Sequence, residues 1–92
     1  MKHRRTNRFK RGFTRLPDPV KAQARKAFKL FDQDPSHPSL AIERVKGYAG
    51  VWAGRINEQV RWTFHYEEDP DTGETICVHR VIGAHDTVYR SP

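Results

Sequence analysis

The sequence predicts an α+β domain, one sheet with one or two helices laid against it. Three observations carry that expectation. A helical stretch is framed by prolines between residues 17 and 38, the apolar period changes to two from Leu40 onward, and 92 residues leave room for only one hydrophobic core. Hydrophobic residues make up 36% of the chain and aromatics 11%, so that core must lean on large rings: Phe28, Phe31, Trp52, Trp62 and Phe64.

Taken in order, residues 1–7 read as a mobile basic arm. Arg8 to Phe13 sets Phe9 and Phe13 among charges, which suits a short edge strand protected by its cations. Leu16-Pro17-Asp18-Pro19 then supplies an N-cap aspartate and a proline at the first helical position, where a missing N–H costs nothing. Val20, Ala24, Ala27, Phe28 and Phe31 fall on one helical face, with Lys21, Arg25, Lys26 and Lys29 largely opposite. Pro35 and Pro38 end the helix near Asp34.

Ala41 to Lys46 is expected as a strand stopped at Gly47. Val51 to Asn57 is expected as a second, with Trp52 and Ile56 on one side and Ala53 and Arg55 on the other. The sharpest alternation follows the short turn Asn57-Glu58-Gln59. Val60, Trp62, Phe64 and Tyr66 share one face and Arg61, Thr63 and His65 the opposite one, as a half-buried antiparallel strand requires. Beyond the acidic turn Asp69-Pro70-Asp71-Thr72-Gly73, residues Thr75 to Ile82 form the last strand. A glycine break at Gly83 then presents His85-Asp86-Thr87-Val88-Tyr89.

Seventeen Lys+Arg against eleven Asp+Glu give a formal charge of +6. The charge is uneven: Lys2, Arg4, Arg5, Arg8, Lys10, Arg11 and Arg15 crowd the start, while Glu67, Glu68, Asp69, Asp71 and Glu74 gather in one later loop. Such asymmetry predicts an oriented contact with nucleic acid or an acidic protein partner. Cys77 is the only cysteine, which excludes an internal disulfide and a multi-thiolate metal site; it is expected to be a small buried hydrophobe. With no signal peptide or apolar spanning run, the expected location is a reducing cytoplasm. No cofactor and no metal are expected, because the five histidines form no H-x-x-x-H pattern and there is no cysteine pair.

Arg55, Arg61, Thr63 and His65 on the exposed sheet face, with His85, Asp86 and Tyr89 beyond it, are candidates for one concave site. RNA cleavage through the 2'-hydroxyl needs a base, cations on the phosphorane-like transition state, and an acid for the leaving 5'-oxygen. Histidine suits proton transfer because its ordinary pKa is about 6.5, and arginine presents planar donors that match phosphate oxygens. Tyr89 or Trp52 could stack on an unpaired base. His37, flanked by prolines, is a loop candidate for the same site.

The arrangement of Phe28 to Phe31, His37-Pro38-Ser39-Leu40, Val45-Lys46-Gly47, Gly50-Val51-Trp52, Val60-Arg61-Trp62-Thr63-Phe64 and Ile82-Gly83-Ala84-His85-Asp86-Thr87-Val88-Tyr89 resembles the RelE/ParE superfamily of toxin–antitoxin toxins. It is most similar to the ribonuclease branch typified by RelE and YafQ, and the resemblance covers most of the chain. It implies a microbial RNase fold, a twisted antiparallel sheet packed on N-terminal helices. It also implies an endoribonuclease that cuts translated mRNA in the ribosomal A site without metal, leaving a 2',3'-cyclic phosphate. On that resemblance Arg61 matches the arginine that stabilises the transition-state phosphate, and Arg55 a basic residue of the preceding strand. His85 matches the general acid or base, Tyr89 the terminal aromatic, and His37 a second histidine of YafQ-like members. Trp52, His65 and Asp86 complete the expected substrate contacts. Ala53 and Gly54 depart from relatives that carry another basic residue there.

A small antitoxin that covers the cationic face, the ribosome and mRNA are the implied partners. The superfamily leaves two alternatives, a ParE-like gyrase poison and an inactive antitoxin- or RNA-binding module; the His85 and Tyr89 terminus argues against the first.

Overall fold

The computed structural model describes residues 1–92. In chain order they form strand β1 (Lys2–Arg5), helices α1 (Asn7–Arg15) and α2 (Asp18–Gln33), and a 3-10 turn at Pro38–Leu40. Strands β2 (Glu43–Arg44), β3 (Trp52–Arg55), β4 (Val60–Glu68) and β5 (Thr75–Ala84) and the short helix α3 (His85–Arg90) complete the chain. The α+β expectation holds, with both N-terminal helices present. The strands make one sheet in the order β1-β5-β4-β3-β2, antiparallel throughout except that β1 runs parallel to β5. No helix is long and apolar enough to cross a membrane.

The alternation along β4 builds the two faces of the sheet. Trp62 and Phe64 point to the helices and are fully buried beside Phe9, Phe31, Leu40, Cys77 and Ile82. Phe28 and Phe31 meet the Trp62 ring edge-on at 5.2 and 5.6 Å between centroids, the arrangement that ring quadrupoles favour. Arg61, Thr63 and His65 take the opposite, largely uncovered face. The register slips between Thr63 and Phe64, because Thr63 pairs with Val81 and Phe64 with His79. Arg80 is the extra residue of that bulge.

The N-terminal third differs from the sequence reading. Residues 2–5 are not a mobile arm: β1 covers the otherwise open edge of β5, and two of its cations are neutralised within the fold. Lys2 pairs with Asp69 at 2.9 Å and Arg4 with Glu67 at 2.9 Å, so the acidic hairpin receives part of the charge assigned to an external partner. Arg8 to Phe13 lies in α1 rather than in an edge strand. Phe9, Phe13 and Leu16 recur at helical spacing, and the Thr6 hydroxyl oxygen accepts from the Phe9 N–H at 3.0 Å as an N-cap. Gly12 lets this helix lie flush on β5, since a Cβ there would fall 2.3 Å from the Ile82 carbonyl oxygen.

Other boundaries shift less. Pro17 is the N-cap of α2, so Asp18 sits inside the first turn and Pro19 one position later than expected, while Asp34 caps the C-terminus as anticipated. The strand expected over Ala41 to Lys46 shrinks to β2, because Ala41 turns into the left-handed region (φ 45°). Gly83 is no break: it pairs with Arg61 inside β5, and the chain enters α3 directly at His85.

Candidate active site

Cross-strand pairing assembles the site on the open face. Arg55 lies opposite Arg61, and Arg61 opposite Gly83, so two guanidinium groups leave neighbouring strands beside a position with no side chain. α3 folds back over that gap. Val88 is wholly buried and approaches to 3.9 Å of where a Gly83 Cβ would lie, which anchors the helix and turns its other face outward. One helical turn then separates His85 from Tyr89, and their rings meet at 4.6 Å between centroids. Tyr89 rests on the small apolar cluster of Val45, Val51 and Ala53.

The electrostatics are specific. Partial burial, and next the Glu43 carboxylate, push the Tyr89 phenol above its ordinary pKa, while Arg61 beside it pulls the other way. Tyr89 is therefore protonated at neutral pH and donates rather than accepts a proton. Arg61 spends Nη1 on the hairpin, donating to the carbonyls of Asn57 and Val60, the latter at 3.1 Å. The hairpin is itself fixed by the Asn57 side-chain oxygen, which accepts from the N–H groups of Gln59 and Val60 at 2.8 Å each. Arg55 pairs with Glu58 on the same turn. The His85 backbone N–H donates to the Gln59 carbonyl at 2.8 Å, tying α3 to that hairpin. Its side-chain Nδ1 lies 3.3 Å from Asp86 Oδ1, both groups being exposed.

The structure thus brings together Arg61, Tyr89, His85 and Asp86, with Arg55 on the adjoining strand. Trp52 does not join them. It packs with the helix-side core, with the Arg44 guanidinium 5.2 Å from its ring centroid. His65 shares the open face, but four strand residues from Arg61 span about 13 Å. It is also committed elsewhere, with Arg80 Nη1 2.8 Å from its Nδ1 and Glu67 2.7 Å from its Nε2. Hydrogen bonds from His65 and then Arg4 hold the Glu67 carboxyl below its ordinary pKa, so this row is a stabilising ladder. Thr63, between Arg61 and His65 on the strand, is buried and donates to the Pro92 carbonyl at 3.1 Å. His37 caps the 3-10 turn, its Nδ1 accepting from the Ser39 N–H at 3.2 Å, and lines a separate depression with Pro35, Pro38 and Ile42. Glu43 is the residue that sequence reasoning passed over. Its one available signal was position, two residues before Val45 on the same face.

No protein-family model matches the sequence, and no curated protein matches it. Solved structures do. A YoeB/ParE toxin from Agrobacterium tumefaciens superposes with a TM-score of 0.73 at 17% identity, over 92% of this chain and 99% of that one. A chain of the RelB–RelE antitoxin–toxin complex from Methanococcus jannaschii gives 0.68 at 15% identity, over 97% and 99%. The E. coli DinJ–YafQ toxin–antitoxin complex gives 0.73 at 8% identity, over 94% and 93%. The chain has the RelE-like toxin fold. At such identities the likeness is one of architecture. In this RelE-like fold the open face carries two arginines, an exposed imidazole and a protonated phenol. That set can bind a phosphodiester and move protons on either side of it.

Proposed function

We propose that the protein is the toxin of a toxin–antitoxin pair, an endoribonuclease that cleaves translated mRNA on the ribosome. The observation that supports this reading is the convergence of Arg61, Tyr89 and His85 on the open face of a RelE-like sheet. Each step of 2'-hydroxyl attack then has a residue. His85 takes the 2'-hydroxyl proton on Nε2 as the hydroxyl oxygen bonds to phosphorus, with Asp86 beside Nδ1. The free donors of Arg61, with Arg55 alongside, stabilise charge on the non-bridging oxygens. Tyr89 gives its proton to the departing 5'-oxygen as that P–O bond breaks, which leaves a 2',3'-cyclic phosphate and a 5'-hydroxyl. The exposed cations of α1 and α2 (Arg8, Lys10, Arg11, Arg25 and Lys26) are placed to meet ribosomal RNA, so association should weaken steeply with salt.

Several structural neighbours are complexes with RelB or DinJ antitoxins. By the same reading, the partner here is a small antitoxin that covers the cationic open face.

The test is inducible expression without antitoxin, with transcript 5' ends mapped for wild type and for a His85→Ala/Arg61→Ala double variant. Cuts in register with codons, confined to translated messages and lost in the variant, are expected. Undiminished toxicity of the double variant would sink the nuclease reading, and DNA breaks with intact messages would select gyrase poisoning instead.

A further inference from the structure

Behind the sheet, on the helix-covered face, lies a group of side chains that the proposed reaction does not use. His3 on β1 and Cys77 and His79 on β5 each offer one donor atom, and these atoms lie within 4.8 Å of one another. Strand register is the cause. β1 pairs His3 with Cys77, and His79 follows Cys77 by two residues on the same face. Zinc bonds of about 2.0–2.1 Å to nitrogen and about 2.3 Å to sulfur place tetrahedral donors roughly 3.3–3.6 Å apart, within reach of small side-chain rotations.

His3 Nδ1 already stands 3.0 Å from His79 Nε2. The other atoms are less well served. His79 is 5% exposed and its Nδ1 is buried without a hydrogen-bond partner, and the Cys77 sulfur is sealed in the apolar core. A second observation points to a ligand. His3 Nε2 lies 3.2 Å from Asp32 Oδ1 on α2, the carboxylate–histidine contact that orients metal-binding imidazoles. A cleft lined by His3, Phe28, Phe31, Asp32 and His79 opens to the surface and admits an ion as far as the two imidazoles.

We propose that His3, Cys77 and His79 form a binding site for a borderline transition-metal ion, Zn²⁺ fitting best, with Asp32 orienting His3 and a fourth position left to water. Two imidazoles and a thiolate favour such an ion over Mg²⁺ or Ca²⁺. On binding, the Cys77 thiol releases its proton to solvent and the sulfur gives a lone pair to the ion, while both imidazoles coordinate as neutral groups. The bound cation supplies the charge that a buried thiolate lacks. The ion would clamp the edge strand β1 to β5 and, through Asp32, to α2. This site is independent of the nuclease reading and lies across the sheet from it.

Co²⁺ is the probe. Chelator-treated full-length protein should bind it one-to-one with a thiolate-to-cobalt charge-transfer absorption, Zn²⁺ should bleach that absorption, and Zn²⁺ should raise Tm. His3→Gln sits on an edge strand and leaves the core intact, yet should abolish the band; Asp32→Asn should weaken binding by about 10–100-fold. His37→Gln should change nothing. Cobalt bound without the sulfur band, a band that survives His3→Gln, or no binding at all would overturn the proposal.

Discussion

His79 and His85 lie close together on β5 and its helical continuation, yet the two sheet faces give them opposite characters. His79 is enclosed by Phe9, Phe28, Phe31 and Phe64 and held neutral. His85 stands in solvent with its side chain 53% exposed, beside a carboxylate and a phenol. The difference shows that residue type alone assigns no role here. One face supplies the stability that makes the other face's exposed charges affordable, and proton transfer belongs where water and substrate reach.

The contrast can be broken most forcefully at Trp62. Replacing this fully buried ring by alanine should cost about 3–5 kcal/mol in urea unfolding, enough to leave little folded protein. Acid is the next lever. Above pH 6.5 His79 is neutral in both folded and unfolded chains; between 6.5 and about 4 only the unfolded chain takes up the proton. Stability should therefore fall with pH through that window, by about 3 kcal/mol in total, and this contribution should level off below it. Urea midpoints of chelator-treated protein at pH 7 and pH 4.5, compared with those of His79→Phe, isolate it: the variant should lose that part of the slope.

Gly12→Ala tests the seat of α1 on β5. In an open helix this change would stabilise, but here the new methyl meets the Ile82 carbonyl, so a loss of about 1–3 kcal/mol is expected. His85→Ala should move stability least, by no more than about 0.5 kcal/mol, while RNA cleavage falls by about 10²–10⁴-fold. If cleavage persisted in a folded His85→Ala variant, the division of labour between the faces would need another catalytic histidine.

Much of this was readable in advance where the deciding interactions are local. The two-residue period of Val60 to Tyr66 foretold which face of β4 is buried, and Asp34-Pro35 foretold the end of α2. The β1–α1 region was misread because Phe9 and Phe13 amid charges fit an edge strand as well as a helix. Only contact with β5, 70 or more residues away, decides between them. At the site, Arg61, His85 and Tyr89 were candidates from the sequence, whereas Glu43 and the separation of His65 depend on which strands pair and where α3 turns.

By itself the sequence determined the alternation of the central strands, the aromatic make-up of the core, the helix boundaries marked by proline, and the residue types able to move protons and hold phosphate. Tertiary structure decided that the basic start of the chain is a strand rather than an arm, that Trp52 stays out of the open-face site, and that His3 meets Cys77 and His79. The reason is range. Periodicity and capping act over a few residues, but sheet register joins the first residues to the seventies, and no local pattern encodes that pairing.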